Sequence, residues 1–188
     1  MNVYENCPSF ENERYLVRFL KESDSDDLFE IYSDKNALPF FNSDNCDGDN
    51  FYYPTKERMN EAVKFWLEAY TKGWFVRFTV VDKSTQKAVG TIEMFRRAAS
   101  DSFDKCGVLR LDVRSDCERE DVLYGIISVI VPPSFELFGC ERIITKAPIY
   151  AVERIAAVSK FGFEKAEQLM VGTNDGYAYN GYWTIDKK

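Results

Sequence analysis

Histidine is absent from this 188-residue chain. Its absence excludes Ser-His-Asp and Cys-His catalysis and every histidine-ligated metal site. General acid–base work is left to Asp, Glu, Tyr, Cys, Lys or water. A basic surplus is missing too: 24 Lys and Arg stand against 31 Asp and Glu, for a net charge of −7. Nucleic acid and anionic membranes need a basic footprint, so neither is expected as a partner, whereas a cationic partner suits the balance. No run of about 18 apolar residues exists to span a bilayer. The opening MNVYENCPSFENERY lacks the basic head and apolar centre of a signal peptide. Cys7, Cys46, Cys106, Cys117 and Cys140 are odd in number and contain no CxxC pair. Reduced thiols in a cytoplasmic protein are therefore expected. Repeats, low-complexity tracts and linkers are also lacking, so residues 1–188 read as a single domain.

What is present is a folded-protein composition, with 45% hydrophobic and 15% aromatic residues. Arg14–Leu20 reads as a strand, followed by a helix capped by Ser23. A second helix opens at Thr55 or Lys56, shows an apolar stripe from Met59 to Tyr70 and stops at Gly73. Trp74–Asp82 and Ala88–Phe95 read as a hairpin. In Gly107–Val113 (GVLRLDV), Leu109, Leu111 and Val113 share one face, while Arg110 and Asp112 share the other. Ser115 and Glu118 then form a capping-box pattern before the apolar run Val122, Leu123, Ile126, Ile127 and Ile130. Pro132 and Pro133 predict that this helix ends or kinks near Val131. Cys140–Ala147 is a strand and Tyr150–Lys160 a helix closed by Gly162. Gln168–Gly172 and Tyr177–Ile185 suggest a last hairpin turned at Asn174-Asp175-Gly176.

The segment SDNCDGDN imitates a calcium loop. However, Ser43 is a poor first ligand and Pro54 stands where a bidentate Glu is needed, so no metal is expected. Cys117 sits at a helix N-terminus, which lowers thiol pKa values, but the neighbouring carboxylates oppose a nucleophilic role.

The block ERYLVRFLKESDSDDLFEIYSD, the strand AVGTIEMF and the order strand, loop, helix, strand, helix ending in Phe161-Gly162-Phe163 together resemble the GNAT superfamily of N-acetyltransferases. Within it, the ribosomal-protein acetyltransferase-like branch is the most similar. The resemblance implies an α/β (α+β) acyl-CoA N-acyltransferase fold. That fold is a central, mixed, mostly antiparallel sheet of six or seven strands with helices on both faces. It also implies acetyl-CoA as cofactor and a primary amine, small or on a protein N-terminus, as acceptor.

By the same resemblance, Leu111 and Val113 would pair with the pantetheine arm. The diphosphate would lie at the loop and helix start formed by Arg114, Arg119, Glu120, Asp121, Val122 and Leu123, with Arg154 nearby. Asp112 and Glu93 are the candidate bases, and Asp44, Asp47 and Asp49 border the acceptor and suit a cationic amine. The motif itself is altered. Glu118 stands in the Gln/Arg place, Arg119 and Asp121 in glycine places, Ala151 in the Asn place, Arg154 in a small-polar place and Val158 in the Tyr place. Side chains and like charges there oppose a diphosphate. Acetyl-CoA binding is therefore expected to be weak or lost, and the alternative reading is a binding or interaction module on the same fold.

Overall fold

A computed structural model describes residues 2–188. Eight strands form one sheet in the order β1 (Phe10–Glu11), β2 (Tyr15–Phe19), β3 (Val76–Asp82), β4 (Lys87–Arg96), β5 (Gly107–Val113), β6 (Arg142–Lys146), β10 (Tyr182–Asp186) and β7 (Glu164–Lys165). Neighbours are antiparallel except β5 and β6, which run parallel and pair only from Gly107↔Ile143 to Leu109↔Thr145. Beyond Leu109 the two strands part. A separate two-stranded ribbon joins β8 (Met170–Val171) to β9 (Ala178–Tyr179). The expected last hairpin is thus corrected: its second arm is split, and β10 leaves the ribbon to enter the main sheet.

Strand alternation sorts the core into two layers. Val76, Phe78 and Val80, Ile92 and Met94, and Leu109, Leu111 and Val113 face α3 (Glu120–Leu137) and α4 (Val152–Phe161) in the larger cluster. On the opposite face, α1 (Ser25–Tyr32) and α2 (Lys56–Thr71) pack with Leu28, Ile31, Tyr32, Met59, Val63 and Trp66 in a second cluster. Burying a Leu, Ile or Phe side chain is worth roughly 1.5–3 kcal/mol, so these two layers supply the main drive to fold. Gly90 permits the close β4–β5 approach, because a Cβ there would stand 2.5 Å from the Asp112 carbonyl oxygen.

Three helix starts differ from the sequence expectation. Ser23 does not cap α1. A 3-10 turn spans Glu22–Asp24, and the buried Asp24 carboxylate turns into the sheet to accept from Arg18 at 2.6 and 2.8 Å and from Thr79 at 2.7 Å. The Ser115/Glu118 capping box does not form either. Ser115–Cys117 is a 3-10 turn, and α3 starts at Glu120 with Arg119 as its uncapped flank. The fourth helix starts at Val152 rather than Tyr150. Thr55 does cap α2, accepting from the Arg58 N–H at 3.2 Å.

The prolines do not end α3, which continues through Pro132 and Pro133 to Leu137. Packing overrides the local cost. Ile130, Val131, Ser134 and Phe135 on both sides of the prolines are buried, and the Ser134 hydroxyl donates to the Ile130 carbonyl at 2.6 Å.

Candidate functional site

The strand registers place polar residues side by side on the α1/α2 face. Arg77 lies opposite Glu93, and Glu93 opposite Arg110; one step along, Thr79, Thr91 and Asp112 form a second row. All six residues are buried. Glu93 is the hinge of the cluster: it accepts from Arg77 Nη2 and, at 2.5 Å, from Arg110 Nη1. Burial opposes its charge, but Arg110 and Arg77 outweigh burial and hold the Glu93 carboxyl below the usual range. A carboxylate so depressed and doubly bonded is a weak proton acceptor.

Asp112 has the opposite character. It is wholly buried, accepts from the Tyr32 hydroxyl at 3.0 Å and the Asn42 N–H at 3.3 Å, and stands 3.6 Å from Arg77 Nη1. Burial pushes its carboxyl up, against the pull of Arg77 and Arg154.

The acidic loop does not present three free carboxylates. Asp44 is withdrawn into the fold, where Lys146 Nζ reaches both its oxygens at 2.6 Å and Tyr182 donates at 3.1 Å. Asp49 accepts from Arg58, from the Tyr53 hydroxyl and from the Phe51 N–H. Asp47 borders a cavity of about 780 Å³ that opens on this side of the sheet. The buried Arg77, Glu93 and Arg110 form the cavity floor, and Phe51, Tyr53, Trp66, Phe75 and Phe95 line its walls. Phe65 and Trp74, about half exposed, mark the mouth. The Arg77 guanidinium lies over the Trp66 ring at 4.0 Å. Arg77 and Trp66 were not singled out from the sequence as site residues. The place of Arg77 opposite Glu93 follows from the β3–β4 register, which the sequence does not show.

On the other side, the parted ends of β5 and β6 and the start of α3 are where an acyl-CoA would have to lie. The residues present there do not fit one. Arg154, 2% exposed, reaches between the strands and donates from Nη1 to the Leu111 carbonyl at 2.7 Å. Its Nε and Nη2 hold Glu118 at 2.7 Å each. Five of the backbone donors after Val113 are also engaged. Arg114 N–H bonds the Val89 carbonyl, Ser115 N–H bonds Asp34, and the Cys117, Glu118 and Arg119 N–H groups close turns on the loop itself. The first donor of α3, the Glu120 N–H, is taken at 2.8 Å by the Glu153 carboxylate. A helix N-terminus attracts an anion; here the anion is a side chain of the same protein.

The other residues assigned to this seat are placed as follows. Arg114 pairs with Asp116, Arg119 with Asp121 and Lys160 with Glu120. Exposed pairs are worth about 0–1 kcal/mol, so they do not lock these side chains. The Arg154–Glu118 pair is different, because removing one partner of a buried pair costs about 3–5 kcal/mol. Val122 and Leu123 are core residues, as are Leu111 and Val113. Burial pushes the Cys117 thiol up to about 11, away from nucleophilic reactivity.

The eight-stranded sheet, its parallel pair that parts halfway and its helices on both faces are the architecture of the GNAT acetyltransferases, and the chain has that fold. It is similar to a GNAT-family acetyltransferase from Bacillus anthracis, with a TM-score of 0.70 and 14% identity over 95% of this chain and 98% of that one. It is also similar to the ribosomal-protein-S5-alanine acetyltransferase of Vibrio fischeri, with a TM-score of 0.67 and 18% identity over 95% and 96%. A third similar structure is the Salmonella typhimurium enzyme that modifies the N-terminal serine of ribosomal protein L7/L12, with a TM-score of 0.66 and 12% identity over 94% and 97%. No family model matches the sequence, and no curated protein matches it significantly.

Proposed function

We propose that this protein is a GNAT-fold binding module whose acyl-CoA seat is filled by its own side chains, and that it works through the cavity floored by Arg77, Glu93 and Arg110. The observation that carries this reading is Arg154, which holds the Leu111 carbonyl and Glu118 in the fork between β5 and β6. An acyl-CoA would have to displace a buried ion pair and compete with Glu153 for the start of α3. Thermal unfolding with acetyl-CoA tests it directly. A ligand at about 100 times its Kd adds about 2.7 kcal/mol, which for a chain of this size is a Tm rise of roughly 5–10 °C. The expected rise at about 1 mM acetyl-CoA, 100 times a 10 μM Kd, is zero. A rise in that range overturns the reading.

A second reading keeps the enzyme. Its support is the parting of β5 and β6 after Leu109, which retains the cleft of the fold, together with the overlap with ribosomal-protein acetyltransferases. Under it the protein is an acetyl-CoA-dependent N-acetyltransferase acting on a primary amine, small or at a protein N-terminus. Asp47 would face the acceptor, and Asp112, the carboxyl with raised pKa, would be the base candidate ahead of Glu93. Stabilisation by acetyl-CoA is the result that would select this reading over the first.

A further inference from the structure

Two buried guanidiniums meet at the floor of the cavity with one carboxylate, Glu93, shared between them. Glu93 has both oxygens committed, Oε2 to Arg77 and Oε1 to Arg110. The remaining donors of Arg77 Nη1 go to Tyr32 and Thr91, and Arg110 Nη2 goes to the Asp44 carbonyl at 2.7 Å. The Nε of Arg77 and the Nε of Arg110 are each buried without a hydrogen-bond partner. Buried polar groups are nearly always satisfied, so two orphaned N–H donors on cavity-lining side chains are a positive observation. Guanidinium donors match the lone pairs of a carboxylate.

A cation is poorly served in the same place. Aromatic faces attract cations, but Arg77 already lies over Trp66, and an amine at the floor would meet two guanidiniums and one carboxylate whose oxygens are both committed to them. Asp49 at the mouth is engaged by Arg58 and Tyr53, and Glu61 pairs with Arg58 at 3.8 Å, which leaves Asp47 to hold an amine only at the entrance. The floor and mouth therefore differ in sign, and the aromatic walls between them select a flat apolar body. At about 780 Å³ the cavity lies within the range of small-molecule sites.

We infer that the cavity binds a small aromatic carboxylate, its anionic end at Arg77 and Arg110 and its ring against the more open walls, Phe65, Trp74 and Phe75. The inference rests on the reading of this cavity as the working site and names its ligand class, the reverse in charge of the cationic acceptor expected from the acidic loop.

Three probes that share a phenyl ring and differ in head group separate the alternatives on the 188-residue chain: phenylacetate, 2-phenylethylamine and benzyl alcohol. Binding is read by calorimetry and by quenching of tryptophan fluorescence. Phenylacetate is expected to bind at least about tenfold more tightly than the other two, and its affinity to fall with added salt. Arg110→Lys keeps the charge but not the fork, and should weaken phenylacetate about tenfold while leaving benzyl alcohol unchanged. Tighter binding of the amine, equal binding of the alcohol, or no phenylacetate binding at about 10 mM, tenfold above a millimolar Kd, overturns the inference. The acetyl-CoA titration is scored separately. Stabilisation by acetyl-CoA alongside phenylacetate binding overturns only the filled-seat reading. Failure of both ligands overturns only the carboxylate assignment.

Discussion

Glu93 and Asp112 sit within one buried cluster and are pulled in opposite directions. Removing the Glu93 charge leaves Arg77 and Arg110 facing each other, so Glu93→Gln is expected to cost about 3–5 kcal/mol. Asp112→Asn keeps an acceptor for Tyr32, and Glu93 still neutralises Arg77, so its cost at neutral pH should be under about 2 kcal/mol. Urea unfolding of both variants checks the ranking. The pH dependences have opposite signs. Glu93 is depressed in the fold, so its stabilisation is present above the unfolded pKa, about 4.3, and is lost as pH falls through the folded value. The gap between Glu93→Gln and the natural protein should narrow in acid. Asp112 is raised, so the natural protein loses stability as pH rises from the unfolded value, about 3.9, through the folded one, and Asp112→Asn should gain relative to it over that window. These pairings were half legible. The alternation of GVLRLDV identified Asp112 and Arg110 as one face. Without the register of β4 against β3 and β5, nothing in the sequence showed that the face would be buried or that Arg77 would complete it.

At the scale of elements, two residues that the GNAT resemblance would make departures from its pattern explain each other. A Glu in place of Gln or Arg at 118 and an Arg in place of a small polar residue at 154 each look like damage when read singly. In the fold, α4 carries Arg154 onto Glu118 and the Leu111 carbonyl, and the two changes form a pair. The sequence signal was available as two opposite charges, Glu118 and Arg154, at two places of the expected site; its meaning needed the packing of α4 against the loop before α3. Arg154→Ser combined with Glu118→Gln removes both charges at once and avoids stranding either. It should cost less than either single change, a difference of about 2 kcal/mol or more in urea unfolding. If the filled seat is what blocks the cofactor, this double variant should gain a Tm rise with acetyl-CoA that the natural protein lacks. The helix prolines make a second element-scale case. Pro132 is exposed and withholds an N–H from the Ser128 carbonyl, so Pro132→Ala should stabilise the chain by about 0.5–2 kcal/mol, measured as a rise in Tm. A fall in Tm would mean that α3 depends on its prolines.

For the whole molecule, the legible part was the order of elements and the two-sided core, because alternation and helical stripes are written locally. The edges were not legible. The outermost strands, β1 and β7, are two residues each and carry no periodic signature. Those short strands have a consequence for solubility. A long bare strand at the rim of a sheet invites another chain to add to it, and a two-residue rim leaves little to pair with. Beneath β1 lies β2, five residues long and rich in apolar side chains. A chain lacking residues 1–13 would expose that strand along its unpaired side. Such a truncated chain should self-associate in light scattering at concentrations where the 188-residue chain does not, and adding back a peptide spanning Asn2–Glu13 should suppress it. On this view the N-terminal segment acts as a sacrificial hem that keeps the sheet from growing.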